Sequence, residues 1–291
     1  MPGPEEDTVS AISPVQNSTA GFARDHPGLV KLARLGWLAK GVVYLLAGVL
    51  VLLLVRQALG WSDGATSQEA SPNGALKEIA STSWGPALMW ALAIGLFLYA
   101  LWRIASALLP GQGGAESWAR RIGYLCSAAL YGFLGVTAVA LARSEQVTDG
   151  NQTVSDAAKG FMENSAGRWL VGIAGVILVA VGLYRIKKAV TQDVEDELDL
   201  GGMSASKHQW IRRLAVVGEI GRGVALGLVG FFLVRAAVTF DPAEATGLDG
   251  ALRRVVVEGW GQAVGAVVGL GFIAYGIFCA LTFHRRRLEA P

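Results

Sequence analysis

Few side chains in this sequence could do chemistry, and those that could are charges set in apolar surroundings. Lys40, Arg56, Glu219, Arg222 and Arg235 stand within or beside long uncharged runs. A charge inside a membrane span marks a functional polar site unless it can reach water. Arg222 and Arg235 lie about 20 Å apart along a helix. Each then sits only about 5 Å inside a roughly 30 Å hydrocarbon layer, a depth that a long side chain spans by snorkelling. Lys40 and Arg56 are about 24 Å apart and reach the interfaces more easily. Glu219 shares a helix face with Arg222, so the two can pair. The spacing therefore predicts anchoring charges plus one local ion pair. The competing reading is an intramembrane polar site of Lys40, Glu219 and Arg222. It rests on two facts: Lys40 and Arg222 hold equivalent places in an internal repeat, and Glu219 is the one acid inside a span.

A second set of basic groups, Lys77, Lys159 and Arg253, also recurs with the repeat. A threefold arrangement would bring them into a triangle on the outer face, where they could hold lipid phosphates or another anion. The plainer reading is three short interfacial helices whose basic groups point to headgroups.

Other chemistries find little support. Cys126 and Cys279 fall inside predicted spans, and there is no C-x-x-C, so no disulfide framework is expected. His26, His208 and His284 lie outside the span interiors, which leaves a transmembrane haem without its usual axial ligands. The acidic group Asp193, Glu195, Asp196, Glu197 and Asp199 has Leu198 where a calcium loop needs glycine, and it reads as a solvated loop. No nucleophile stands near a base or a carboxylate cluster. The expectation is a protein without enzymatic activity, metal or cofactor.

The elements that position these residues repeat three times. Gly36, Lys40, Gly41, Tyr44 and Gly48 align without gaps on Gly123, Ser127, Ala128, Tyr131 and Gly135, and on Gly218, Arg222, Gly223, Leu226 and Gly230. Gly74-Ala75-Leu76-Lys77 precedes Gly85 by the same distance at which Asp156–Lys159 precedes Gly167 and Gly250–Arg253 precedes Gly261. The closing segment has Gly95 and Tyr99 in the first copy and Gly271 and Tyr275 in the third; the second keeps only Gly182, Tyr184 and Arg185. So long a period suits a transmembrane hairpin and not a solenoid unit.

The chain has 291 residues, 53% hydrophobic and 16% charged, with a mean hydropathy of +0.44; soluble domains carry about 25% charged residues. Apolar runs Gly41–Val55, Ile79–Trp102, Ile122–Ala142, Trp169–Tyr184, Leu214–Phe240 and Gly259–Phe283 give six spans. Lipid demands helices, because it offers no partner to an open strand edge. The expected fold is an all-α polytopic bundle of three two-helix repeats with pseudo-threefold symmetry about the membrane normal. Its parts are a disordered tail (1–28), repeats over 29–110, 111–190 and 212–284, an acidic loop (191–211) and a basic tail (285–291). Pro27 opens a short amphipathic stretch, Leu29–Leu35, placed on the membrane surface. Basic residues such as Lys31, Arg34, Arg120, Arg121, Lys187, Lys188, Arg212, Arg213 and Arg285–Arg287 gather on one side, which predicts cytoplasmic termini. The net charge of +2 reflects topology and gives no reason to expect nucleic acid.

Glycines spaced by four, Gly223 and Gly227 in the fifth span and Gly261, Gly265 and Gly269 in the sixth, form ridges for close helix packing. They are expected to face the partner helix of their own repeat. Trp37, Trp102, Trp118 and Trp210 should mark one membrane interface, and Trp61, Trp84, Trp169 and Trp260 the other.

Gly36-x-x-x-Lys40-Gly41-Val42-Val43-Tyr44, Gly74-Ala75-Leu76-Lys77 and Gly95-x-x-x-Tyr99-x-x-Trp102-Arg103 resemble an uncharacterised family of bacterial, largely actinobacterial, membrane proteins with six spans in three repeats. The resemblance covers about residues 30–283, and the second repeat departs from it at Ser127 and Asp156. It implies a plasma-membrane location and supplies no activity. The functional expectation is a non-enzymatic protein binding membrane lipid or a membrane partner. The alternative is a small channel or transporter with a path near the pseudo-threefold axis.

Overall fold

A computed structural model describes residues 27–61, 69–108, 115–145, 149–191 and 205–283. Residues 1–26 of the expected N-terminal tail, the basic tail, the calcium-loop comparison at Asp193–Asp199, His26 and His284 lie outside them; residues 27–28 belong to a helix, as do 191 and 205–211 of the expected acidic loop. The described residues contain helices and no β-strand. In chain order the helices are α1 (Pro27–Ala58), α2 (Pro72–Ala80), α3 (Gly85–Leu108), α4 (Ala115–Ala142), α5 (Gly150–Met162), α6 (Ser165–Thr191), α7 (Ala205–Thr239), a 3-10 turn (Pro242–Glu244), α8 (Leu248–Val256) and α9 (Gly261–Thr282). Six of them, α1, α3, α4, α6, α7 and α9, are long and apolar enough to cross a membrane. The surface stretch expected at Leu29–Leu35 is instead the opening of α1, which runs unbroken from Pro27 into the first span. No proline follows to end it, and proline at the first helical position costs no hydrogen bond.

The strongest helix packing joins neighbouring repeats. It forms three seams, α9 on α1, α3 on α4 and α6 on α7. Backbones meet directly in two of them. A methyl group on Gly48 would stand 2.7 Å from the Gly269 carbonyl oxygen, and one on Gly223 would stand 2.7 Å from that of Gly182. Gly41 faces Gly276, and Gly230 faces Gly175, in the same way. In the third seam Gly135 meets the Phe97 ring. Lipid is as apolar as the helix surface, so close contact and not the hydrophobic effect holds such helices together.

This corrects the expected role of the glycine ridges. Gly223 and Gly269 face other repeats. Gly265 receives the Val55 side chain of α1, Gly261 turns against the Val255 carbonyl, and a methyl group on Gly227 would meet nothing within 4 Å. Gly85, Gly167 and Gly261 share one cause: each starts a span by turning so sharply that a side chain would collide with a carbonyl of the preceding short helix (Ala80, Phe161 and Val255).

Within repeats the hairpins differ. In the third, α7 and α9 touch backbone to backbone, with a Cβ on Gly271 only 2.5 Å from Gly221 Cα. In the first, Gly36 lies against the Gly95 carbonyl at 2.8 Å by the same measure. In the second, α4 and α6 do not pack on each other. Gly123, which aligns with Gly36 and Gly218, meets nothing within 4 Å. The repeat register gives the reason. Cys126 and Ile177 stand where Gly221 and Gly271 touch, and their side chains forbid that approach. The six spans thus form a series, α4–α3–α1–α9–α7–α6, whose two ends stay apart.

The short helices α2, α5 and α8 interlock at one end of the bundle. Asp249 accepts the Ala70 backbone N–H at 2.7 Å and the Asn151 side-chain amide at 3.0 Å. Gly247 gives α8 no side-chain cap of its own; Asn151 Oδ1 accepts the Gly250 N–H at 2.9 Å instead. One residue from each repeat therefore joins a shared polar seal, which satisfies donors that a helix start leaves open. Below it Leu76, Met89 and Leu252 are fully buried.

A candidate intramembrane cation cluster

Near the opposite end, where α1 begins and α9 ends, the interior is polar. The seams fix it. Lys40 directly precedes Gly41 and Arg222 directly precedes Gly223, so the rotation that brings each glycine to its seam turns the preceding cation inward. Lys40 is only 2% exposed. Its ammonium lies 4.8 Å from the rings of Trp37 and Tyr99, 5.0 Å from Tyr131 and 5.1 Å from Tyr275. It donates to the Tyr99 hydroxyl at 3.1 Å. No carboxylate lies within ion-pair distance of it among the described residues. Ring faces are negative, and in a desolvated box each can contribute on the order of 2 kcal/mol to holding a cation.

Arg222 sits over Tyr275 at 4.0 Å and over Tyr44 at 5.4 Å. It donates to Glu219 Oε1 at 2.6 Å, and Arg185 of α6 donates to Glu219 Oε2 at 2.7 Å. One carboxylate therefore serves two guanidinium groups. Arg103 of α3 donates to the Tyr99 hydroxyl from Nε at 3.0 Å and from Nη2 at 2.7 Å, and it rests over Tyr124. A Tyr131–Tyr44 hydroxyl contact of 3.4 Å closes the centre. Four cations (Lys40, Arg103, Arg185 and Arg222) gather around one carboxylate and five tyrosines. Arg185 Nε is buried and donates to nothing, an omission that usually costs about 1–3 kcal/mol.

The structure thus brings Lys40, Glu219 and Arg222 into one region and confirms the Glu219–Arg222 pair by geometry. It overturns snorkelling for Lys40 and Arg222, which point inward. Arg56 and Arg235 do reach the periphery, where Arg235 pairs with Glu244 at 3.1 Å. Trp37 also leaves its expected place. It is 4% exposed and donates to Thr282 Oγ1, so it lines the cation box and not the interface. Trp61, Trp84, Trp118, Trp169, Trp210 and Trp260 are all exposed, as an interfacial belt requires. Sequence reasoning missed Arg103 and Arg185, although the repeat register places one on the other.

The expected basic triangle is not available as drawn. Lys77 pairs with Glu69 at 3.1 Å and Arg253 with Asp249 at 2.9 Å, while Lys159 is exposed on α5. Two of the three charges are already neutralised by carboxylates of their own repeats. Asp156, which replaces glycine, lies mid-helix because α5 starts about one turn earlier than α2 and α8 relative to the repeat. There it escapes the collision that a side chain on Gly74 or Gly250 would make with Glu69 or Thr246.

Comparison with known proteins agrees with this architecture. The chain is 26% identical over 258 residues to the Uncharacterized protein YxxB of Bacillus subtilis (strain 168), an alignment spanning 88% of this chain and 90% of that protein. No solved structure matches it. A family model matches three times in tandem, over residues 35–109, 122–192 and 217–282, one match on each two-helix repeat. The chain therefore belongs to the family described as Domain of Unknown Function (DUF1206).

Proposed function

We propose that this is a non-enzymatic, multi-pass protein of the plasma membrane that binds an anionic lipid headgroup at the cation cluster. The observation that carries this reading is the charge imbalance: Arg185 and Arg222 share the carboxylate of Glu219, while Lys40 and Arg103 beside them have only the neutral Tyr99 hydroxyl. Charges so far from bulk water call for a counter-charge, and the arginine fork matches a phosphate or carboxylate. Permanently charged guanidinium groups hold anions and do not trade protons, which suits binding better than catalysis. The end of the bundle that carries the cluster also carries Arg121, Lys187, Lys188, Arg212 and Arg213. Positive residues favour the cytoplasmic side, so the cluster faces the inner leaflet, with both termini cytoplasmic.

A solute path near the pseudo-threefold axis is the second reading, and it draws on the same polar groups. The hydrogen-bonded seal of α2, α5 and α8 weighs against it, because passage would have to part Asp249 from Ala70 and Asn151. Extraction in mild detergent followed by lipid analysis tests the binding reading. The protein should carry anionic phospholipid enriched over the source membrane, and Arg185→Gln combined with Arg222→Gln should remove the enrichment. A lipid content equal to that of the bulk membrane in both proteins would refute it.

A further inference from the structure

The geometry points to the open hairpin of the second repeat as the slot in which one anionic phospholipid lies, its headgroup at Arg103 and Arg185 and an acyl chain along α6. This rests on the binding reading above and adds the place and the form of the ligand.

Two observations locate the slot, and a third shows that an acyl chain fits its depth. The first is its emptiness by comparison with its siblings. In the first and third repeats a cation of the leading helix stacks on a tyrosine of the closing helix, Lys40 with Tyr99 and Arg222 with Tyr275. The second repeat has Ser127 and Val181 at those places, and Ile177 where Gly95 and Gly271 permit contact. The bond that closes a hairpin and the space that lets it close are both lost there. Gly123 and Cys126 are left exposed on α4, and Ile177 and Val181 on α6.

The second observation is charge. α4 packs on α3, which carries Arg103 stacked on Tyr124, next to Gly123. On the other side Arg185 projects from α6 toward Glu219, with its buried Nε unmatched. An apolar slot flanked by cations suits an anion with an apolar tail, whereas a partner helix would have to bring an acid into the bilayer at a cost of several kcal/mol.

The third is length. Ile177 lies about 12 Å along α6 from Arg185, within the roughly 15 Å depth of one leaflet. Ile177 also stands at the near end of an apolar groove of about 420 Å³ that runs between α6 and α7, past Ile173 and Val234, toward Trp169 and Phe240 at the far end of the bundle. A chain hanging from a headgroup at Arg185 would reach Ile177 and the near end of that groove.

Two measurements test the slot. Anionic phospholipid bearing a photoactivatable acyl chain is mixed with the unmodified protein in bilayers. Adducts should concentrate at least five-fold on residues 122–130 and 173–185 over the lipid-facing stretch of α3 around Ile94. In parallel, Cys126→Trp and Val181→Trp should each reduce co-purified anionic phospholipid at least five-fold, while Ile94→Trp leaves it unchanged. Even labelling over all lipid-facing helices would overturn the slot, as would retention of lipid by folded slot variants. If Arg185→Gln releases the lipid in that case, the cluster still binds it and only the slot fails. A second copy of the chain trapped through Cys126 by a short cross-linker would also overturn it. If the unmodified protein retains no anionic lipid at all, the binding reading itself fails.

Discussion

Alanine at Gly276 probes the seam that joins the first and last of the described helices. Gly276 lies on α9 where it crosses α1. A methyl group there would stand 2.7 Å from the Gly41 carbonyl oxygen, 2.8 Å from Leu45 N and 2.8 Å from Leu45 Cβ. Carbon atoms rest about 3.5 Å or more apart, so the overlap is about 0.7 Å. Two of the three obstructing atoms are backbone, and no rotamer change relieves them. The helices must separate, forfeiting contacts along the seam, and overpacking of this kind costs about 1–3 kcal/mol. Alanine returns up to about 1 kcal/mol of helix propensity, which leaves a net loss of about 1–2 kcal/mol. At about 2–4 °C per kcal/mol for a chain of this size, the unfolding midpoint falls by roughly 2–8 °C. Gly227→Ala is the matched control, because its methyl group meets nothing within 4 Å; it should be neutral or slightly stabilising. Thermal unfolding of both variants in one detergent, followed by tryptophan fluorescence, reads the difference. A Gly276→Ala protein as stable as the original, or a Gly227→Ala protein equally weakened, would refute the assignment of the seam.

Tyr99→Phe removes the hydroxyl that both Lys40 and Arg103 use. It should cost about 1–3 kcal/mol by the same thermal assay, while Tyr44→Phe, which loses only a long contact to Tyr131, should cost less. Asp249→Ala strips an acceptor from Ala70, Asn151 and Arg253 together and should cost about 3 kcal/mol or more; proteolysis in the loops between spans should speed up at that end of the bundle. Glu219→Gln separates two readouts. It should lower stability by about 3 kcal/mol, since two arginines lose their shared carboxylate, yet raise the anionic lipid that co-purifies, since that carboxylate no longer competes for them. A fall in both would count against anion binding at the cluster.

The bundle was legible in the sequence to the level of repeats and spans, because hydropathy sets the spans and recurring glycines set the register. Direction was not. Span arithmetic gives the depth of Lys40 and Arg222, but it says nothing of which way they face. Gly41 and Gly223 decide that, and their partners lie in other repeats. Trp37 was misplaced for the same reason. The open second hairpin was written in Ser127, Ile177 and Val181, which read in isolation as drift from the pattern and acquire meaning only beside the closed hairpins. Contacts such as Asn151 with Asp249 join residues that no local spacing relates, so they were out of reach.

The seam between α1 and α9 has a temporal side. Of the described helices, α1 is made before the others, and it finds its backbone partner only when α9 is made. Until then Gly41 and Gly48 face lipid with nothing against them, and the two intervening seams can form while this one waits. Contacts of such long sequence separation form slowly, and a nascent chain with unsatisfied surface is open to misassembly. Loss of α9 would thus leave α1 stranded, and forms of this chain that stop short of α9 should be cleared by the cell rather than accumulate as smaller bundles.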